Sequence, residues 1–226
     1  MNQLNKPSMR THQRLTQDFY EQPTTELARN LLGKVIVRQL DDGQTLAGIV
    51  VEVEAYLPAD DPASHSFRGL GRKNASMFEP AGTLYVYPIH AKFCLNVVSD
   101  AKGQGAAVLI RAVQPIAGLG SMRELRGLLN LNEPLTRLTA GPARLCQALS
   151  VDRTLDGENL LSSSRLWFET EPPVVSAQSW TVRASPRIGI SEAAEKPLRW
   201  FIDGHQFVSG CARDHSRRRD WCFSIT

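Results

Sequence analysis

Glu52, Glu54 and Tyr56 alternate with Val51, Val53 and Ala55 in one short run. On an extended strand alternate side chains share a face, which sets two carboxylates and a phenol ring side by side and turns the three apolar residues toward a core. A carboxylate in a pocket beside such a ring can take a proton from water as a general base. Glycoside hydrolysis by a carboxylate pair needs the two groups on opposite sides of the scissile bond. Neighbours on one strand face do not meet that condition, so one is expected to act and the other to serve structure. The bland reading of the same run is a solvated strand face.

Tyr85 and Tyr87 flank Val86 and share a face in the same way. With Tyr56 and His65 they would form a slot walled by π-faces, suited to a planar and preferably cationic ring. An aromatic ladder filling a core is the common alternative. Arg111 interrupts an otherwise apolar strand at 107–113. A buried guanidinium needs a partner, and Glu54 is one candidate, able to orient both a base and its water.

The elements that must position these groups can be read from pattern. Residues 34–40 and 46–57 read as strands joined by a turn at Asp42-Gly43, which places the carboxylates toward the end of the second strand. Residues 58–78 form a long loop of the kind that usually carries function. Strands are expected at 83–87, 92–98, 106–113, 166–169, 181–190 and 198–202. Helices are expected at 26–32, capped by Thr25 and closed by Gly33, at 121–128, and at 141–149 with Pro142 in its first turn. The N-terminus of that last helix is also a place where an anion could sit. With no repeat and no clear linker, the expected fold is one mixed α+β domain, rich in strands, over residues 18–210. Residues 1–17 read as a flexible basic arm and 211–226 as a basic tail with Arg213, Arg217, Arg218 and Arg219.

The bulk properties exclude several classes. No apolar run is long enough to span a bilayer and no signal-peptide core is present, so a cytoplasmic, nucleoid-associated or nuclear location is expected. A net charge of +3 leans toward a polyanionic partner without the strong basic signature of many nucleic-acid modules. Basic segments at 68–73 and 123–126 could meet phosphates, or be solvated faces. Cys94, Cys146, Cys211 and Cys222 form no C-x-x-C pair, and Cys211, His215 and Cys222 lack the spacing of a zinc site. No disulfide framework, metal or cofactor is expected.

Many blocks of the chain, in order, resemble the alkyladenine (3-methyladenine) DNA glycosylase family. They are Glu52 to Tyr56, His65, Met77-Phe78, Gly82-Thr83-Leu84-Tyr85-Val86-Tyr87, Phe93-Cys94-Leu95-Asn96 and Val108-Leu109-Ile110-Arg111-Ala112. Gly141-Pro142, the run from Leu145 to Leu149, Arg187-Ile188-Gly189-Ile190 and Lys196-Pro197-Leu198-Arg199 continue the series, which covers residues 27–207. The resemblance implies a single mixed domain with a curved, mostly antiparallel sheet, packed helices and no metal. It implies an enzyme that flips alkylated purines out of duplex DNA and hydrolyses the N-glycosidic bond without cutting the strand. In that frame Glu54 resembles the general base and Arg111 the arginine that helps hold the water. Tyr56, His65 and Tyr87 resemble the residues that sandwich the flipped base, and Asn96 the one that crowds a guanine amino group. Family members usually carry a wedging tyrosine where this chain has His90, and one residue is missing before Phe93. His90, Lys92 and Tyr85 are accordingly assigned to the wedge or the DNA backbone, with His90 filling the vacated stack less completely and Lys92 reaching a phosphate.

Two other readings compete with catalysis on damaged duplex DNA. A non-catalytic DNA-damage binding protein would keep the pocket without turnover. A hydrolase of free nucleosides would need opposed carboxylates or a metal. Cationic lesions such as 3-methyladenine and 7-methylguanine are favoured over hypoxanthine and etheno-adducts, because no leaving-group acid is evident. One active face on one duplex fits a monomer.

Overall fold

The computed structural model describes residues 13–172, 175 and 179–210. Its strands are β1 (Val35–Gln39), β2 (Thr45–Tyr56), β3 (Leu84–Ile89), β4 (Lys92–Ser99), β5 (Ala106–Ala117), β6 (Leu166–Glu169), β7 (Val182–Ser185) and β8 (Arg199–Ile202). They form one antiparallel sheet in the order β3-β4-β5-β2-β1-β6, with β8 joined to β2 and β7 to β8. β2 is the hub. Its first half pairs with β1, at Val35 with Ile49, and its second half with β8, at Glu52 with Phe201, while β5 runs along its other edge. One edge that serves two partners in succession makes the twisted sheet fork and curl. The protein is thus a mixed α+β domain, as the strand and helix patterns predict, with the curved antiparallel sheet that the resemblance implies.

The helices are α1 (Gln17–Tyr20), α2 (Thr24–Leu31), α3 (Leu119–Leu125), α4 (Thr136–Thr139) and α5 (Pro142–Ala148). Leu27 and Leu31 of α2 and Leu145 of α5 are fully buried against Val50, Val53 and Ala55 of β2 and Val108 and Ile110 of β5. Each such side chain contributes about 1.5–3 kcal/mol by leaving water. α2 begins at Thr24, not at the expected Glu26, and Thr25 is not its cap. Pro23 occupies the cap position without a side-chain bond, and the Asp100 carboxylate accepts from the Thr24 N–H at 3.2 Å. The anion that a helix N-terminus favours is therefore supplied from a turn 76 residues away. α3 also starts and ends earlier than expected, and β7 stops at Ser185 because Pro186 leads the chain away toward the site. Arg14 and Leu15, expected within the basic arm, lie on the sheet: Leu15 is buried and Arg14 bridges to Glu169. Residues 1–12, the basic tail and the Cys211, His215 and Cys222 cluster lie outside the described residues.

A change of side within β2 is what creates the site. Leu46, Val50, Val53 and Ala55 lie in the helix-side core, but Ala47, Ile49 and Val51 lie in a second cluster with Ala112 and Phe207. The parity flips between Val51 and Glu52, where the β2–β5 register shifts on both sides of the Glu52–Ala112 pair. A bulge adds one residue to the alternation and re-aims the side chains beyond it. The expectation that Val51 shares a face with Val53 and Ala55 is corrected by this bulge. Glu52 and Glu54 consequently continue the face of Ile49 and Val51, and both are completely buried. The solvated-face reading fails with that burial.

Residues 203–210 close this second face. His205 is buried, with Nε2 3.0 Å from the Gln114 side-chain oxygen, and burial pushes its pKa down to about 4. This docking brings Ser209 onto Glu52. At the other end of the sheet, β3 and β4 meet in a two-residue turn, with Ile89 paired to Lys92. Its residues, His90 and Ala91, both take left-handed backbone angles (φ 45° and 60°). Such a turn matches the twist of a hairpin but is normally built from Asn or Gly, so this exposed tip stores some strain.

Candidate active site

Glu52 and Glu54 share a strand face but differ in their partners. Glu52 accepts from Arg111 Nε at 2.9 Å, from Arg199 Nε at 2.7 Å and from the Ser209 N–H at 2.6 Å. It is completely buried and lies off the cavity lining. Glu54 lies next to it on the strand and accepts from the Ile188 N–H at 2.8 Å and the Tyr56 hydroxyl at 3.1 Å, with Arg111 Nη1 at 3.1 Å. Two carboxylates thus face two guanidiniums in one buried network, which leaves no uncompensated charge. Burial works against the charge on Arg111, but Glu54 and then Glu52 outweigh it and hold its pKa above the usual value.

The three groups that hold Glu54, namely Tyr56, Arg111 and Ile188, also line a cavity of about 320 Å³. Aromatic rings form its wall. His65 and Tyr87 meet edge-on with centroids 4.5 Å apart, Tyr85 and Tyr87 lie 5.4 Å apart, and His65 Nδ1 is 2.8 Å from the Tyr85 hydroxyl. Burial raises the pKa of Tyr56, Tyr85 and Tyr87 far above the ordinary phenol, so all three stay protonated. His65 keeps one edge in solvent, yet desolvation by this wall lowers its pKa and favours the neutral imidazole. Asn96 lies on the lining with its amide donating to the Tyr85 carbonyl at 2.9 Å. Cys94, also on the lining, is held as a thiol by burial.

Most residues singled out by sequence meet here: Glu54, Arg111, Tyr56, His65, Tyr87 and Asn96 surround or underlie one cavity. Tyr85, expected both in the aromatic slot and at the wedge or backbone, is 2% exposed and part of the cavity wall, because it lies inward on β3 three residues before the hairpin begins to emerge. His90 and Lys92 do lie exposed at the hairpin end. The helix that begins at Pro142 lends Pro142 to the lining.

Sequence reasoning assigned no role to three supports. Arg199 and Ser209 complete the Glu52 network, and Arg187 forms a wholly buried pair with Asp61 at 2.6 and 2.7 Å. Burial alone would raise the Asp61 pKa, but the bonds from Arg187 and the Leu57 N–H prevail and lower it. The Arg187 guanidinium also lies 4.7 Å from the Tyr56 ring centre, against which it can make a cation–π contact. It therefore fixes the ring that donates to Glu54. A signal did exist: Arg187 and Arg199 fall in the distinctive blocks Arg187-Ile188-Gly189-Ile190 and Lys196-Pro197-Leu198-Arg199. Among the described residues no group of three or more His, Cys, Asp or Glu could hold a metal ion. No described helix is long and apolar enough to cross a membrane.

Comparison with known proteins places this chain in a family. The methylpurine-DNA glycosylase family model matches residues 18–206. A protein of Rhodopirellula baltica whose name assigns it to the 3-methyladenine DNA glycosylases is 47% identical over 210 residues, covering 92% of this chain and 88% of that one. The mouse DNA-3-methyladenine glycosylase is 44% identical over 206 residues, covering 87% of this chain and 61% of its own length. The human DNA-3-methyladenine glycosylase is 41% identical over 206 residues, with 87% and 68% covered.

Proposed function

This chain belongs to the methylpurine-DNA glycosylase family, and from that membership and its site we propose that it is a monofunctional DNA-3-methyladenine glycosylase of base excision repair. Its substrate is duplex DNA carrying alkylated purines, and it works as a monomer in the cytoplasm, on the nucleoid or in a nucleus. The observation that carries the proposal is the placement of Glu54. It is fixed by Arg111, Tyr56 and the Ile188 amide directly behind an aromatic cavity of about 320 Å³.

The chemistry follows from that placement. A carboxylate offers about four lone-pair directions, and three bonds to Glu54 leave one for water. Glu54 takes the proton as the water oxygen attacks C1′, the N-glycosidic bond breaks, and the purine leaves with the bonding pair. The carboxylate also stabilises the cationic sugar that develops on the way. Tyr56, His65 and Tyr87 stack on and orient the flipped base, and a positively charged purine is the best match for such rings. Asn96 stands where a guanine amino group would crowd it. The lining holds no lysine among the described residues, which supports attack by water rather than by an amine.

Selectivity follows from the same lining. A cationic purine needs no proton to leave, whereas neutral hypoxanthine does. The titratable groups on the lining are phenols, the Cys94 thiol and Arg111, all weak acids, and a neutral imidazole. Under single-turnover conditions 3-methyladenine is expected to leave duplex DNA at least tenfold faster than hypoxanthine. Faster release of hypoxanthine would refute this order.

At the hairpin tip we assign His90 to the gap left in the base stack and Lys92 to a phosphate. An imidazole covers less of a base than a phenol, so capture of the flipped state is weak. His90→Tyr is expected to shift the flipping equilibrium severalfold toward the extruded base, read by fluorescence of a 2-aminopurine beside the lesion. An unchanged equilibrium would remove His90 from this role.

A further inference from the structure

Arg187 and Asp61 form a two-pronged ion pair set back from the base cavity. Nη1 donates to one carboxylate oxygen at 2.7 Å and Nη2 to the other at 2.6 Å, and both side chains are 0% exposed. Neither residue lines the cavity. The pair instead pins three pieces of chain. Arg187 Nη1 also donates to the Ala55 carbonyl at 3.0 Å, near the end of β2. The Asp61 carboxylate accepts from the Leu57 N–H at 3.0 Å, and the Asp61 carbonyl accepts from the Ser64 N–H at 2.8 Å, which shapes the loop that leads to His65. The third piece is the segment after Pro186, where Arg187 stands beside Ile188.

Two of the groups that hold Glu54 issue from those pieces. Tyr56 lies between Ala55 and Leu57, the two residues whose backbone the pair grips, and its ring centre is 4.7 Å from the Arg187 guanidinium. Its hydroxyl donates to Glu54 at 3.1 Å, and the Ile188 N–H, one residue beyond Arg187, donates at 2.8 Å. Stability does not account for such a pair. Buried charges lose their hydration, and apolar side chains of similar size often serve a fold as well or better. Arg187 also leaves Nε buried with no hydrogen-bond partner among the described residues, a further cost. What a forked ion pair supplies and an apolar contact lacks is a fixed direction. Reacting groups need that direction, since a misplacement of about 1 Å can slow a reaction about 100-fold.

We propose that Arg187 and Asp61 are positioning residues for the water-activating carboxylate. Through the Tyr56 hydroxyl and the Ile188 amide they aim the lone pair of Glu54 that is left for water. Arg111 faces the same carboxylate with its charge, so charge and aim come from separate arginines. The inference rests on the reading of Glu54 as the general base and adds the groups that orient it.

The test removes both charges at once, as Asp61→Leu combined with Arg187→Met, so that no lone charge is left buried. Urea unfolding measures the stability of this double variant. Single-turnover experiments on a duplex carrying 3-methyladenine measure its affinity and its rate at saturating enzyme. The urea midpoint should stay near that of the wild type, with affinity within about threefold. The rate should fall about 30-fold, inside the range that misplacement causes. Tyr56→Phe alone should slow release about tenfold through the lost bond to a charged group. Added to the double variant it should cost less than about twofold more, because residues that act as a unit do not add. Release by the double variant within threefold of the wild type, a loss in affinity rather than in rate, or a full further tenfold loss with Tyr56→Phe overturns the inference. Should the double variant fail to fold, Arg187→Lys takes its place. It keeps the charge without the fork, so its rate should fall about tenfold, and a fall of less than threefold again overturns the inference. Glu54→Gln is run in parallel. A fast double variant beside a slow Glu54→Gln refutes the positioning role alone, whereas wild-type rates from both refute Glu54 as the base.

Discussion

Exchanging Glu54 for glutamine is expected to slow single-turnover release of 3-methyladenine about 1,000-fold, within the range that a positioned general base supplies and equivalent to roughly 4 kcal/mol of barrier. Glutamine keeps the shape and one carbonyl oxygen to accept from the Ile188 N–H and Arg111. It cannot take a proton from water or face a cationic sugar with a full negative charge. Binding of a lesion-containing duplex should change by no more than a few fold, because Tyr56, His65 and Tyr87 still form the cavity wall. The loss must therefore appear in the rate at saturation rather than in affinity. A folded variant that releases base within tenfold of the wild type would show that Glu54 is not the base.

Glu52→Ala should strike stability first. Glu52 is 0% exposed and answers both Arg111 and Arg199, whose side chains are 7% and 1% exposed. Its removal leaves Arg199 without a carboxylate and Arg111 with Glu54 alone, and it strands the Ser209 amide. Breaking a buried ion pair from one side destabilises by about 3–5 kcal/mol, a large share of the roughly 5–15 kcal/mol that holds a typical domain together. Urea unfolding should show this as a lower midpoint with an unchanged slope. A loss below about 1 kcal/mol would mean that the network relaxes around the gap and that Glu52 is dispensable to the fold. The contrast with Glu54→Gln separates the adjacent carboxylates: one variant folds without turning over, the other struggles to fold.

The legible parts of this protein are those with short-range signals. Period-two alternation reveals β2, β3 and β5, and with them the common face of Glu54 and Tyr56 and the candidate pairing of Glu54 with Arg111. Pro142 marks the start of α5 because its missing N–H and fixed φ suit a first helical turn. The hidden parts depend on pairing across long separations. The bulge at Glu52 is a property of the β2–β5 register, and nothing in the local run announces it, so alternation alone puts Val51 on the wrong face. The Arg187–Asp61 pair joins residues 126 apart, and the Glu52–Ser209 bond joins residues 157 apart. The Asp100 cap on α2 is of the same kind. Tyr85 is legible as a wall of the aromatic slot, but alternation does not show how far along the hairpin that face remains buried, so the wedge or backbone also stays open for it.

The central claim is that this chain cuts the bond between a damaged purine and its sugar and leaves the strand whole. Its most direct test is to incubate excess protein with a duplex labelled at one 3-methyladenine and to follow both the free base and the labelled strand. The account predicts release of 3-methyladenine in a single exponential, with a full-length strand that breaks only when its new abasic site is treated with alkali. Tight binding of the lesion with no free base would contradict it and leave a damage sensor. Strand cleavage without alkali would contradict the water mechanism and require an amine nucleophile.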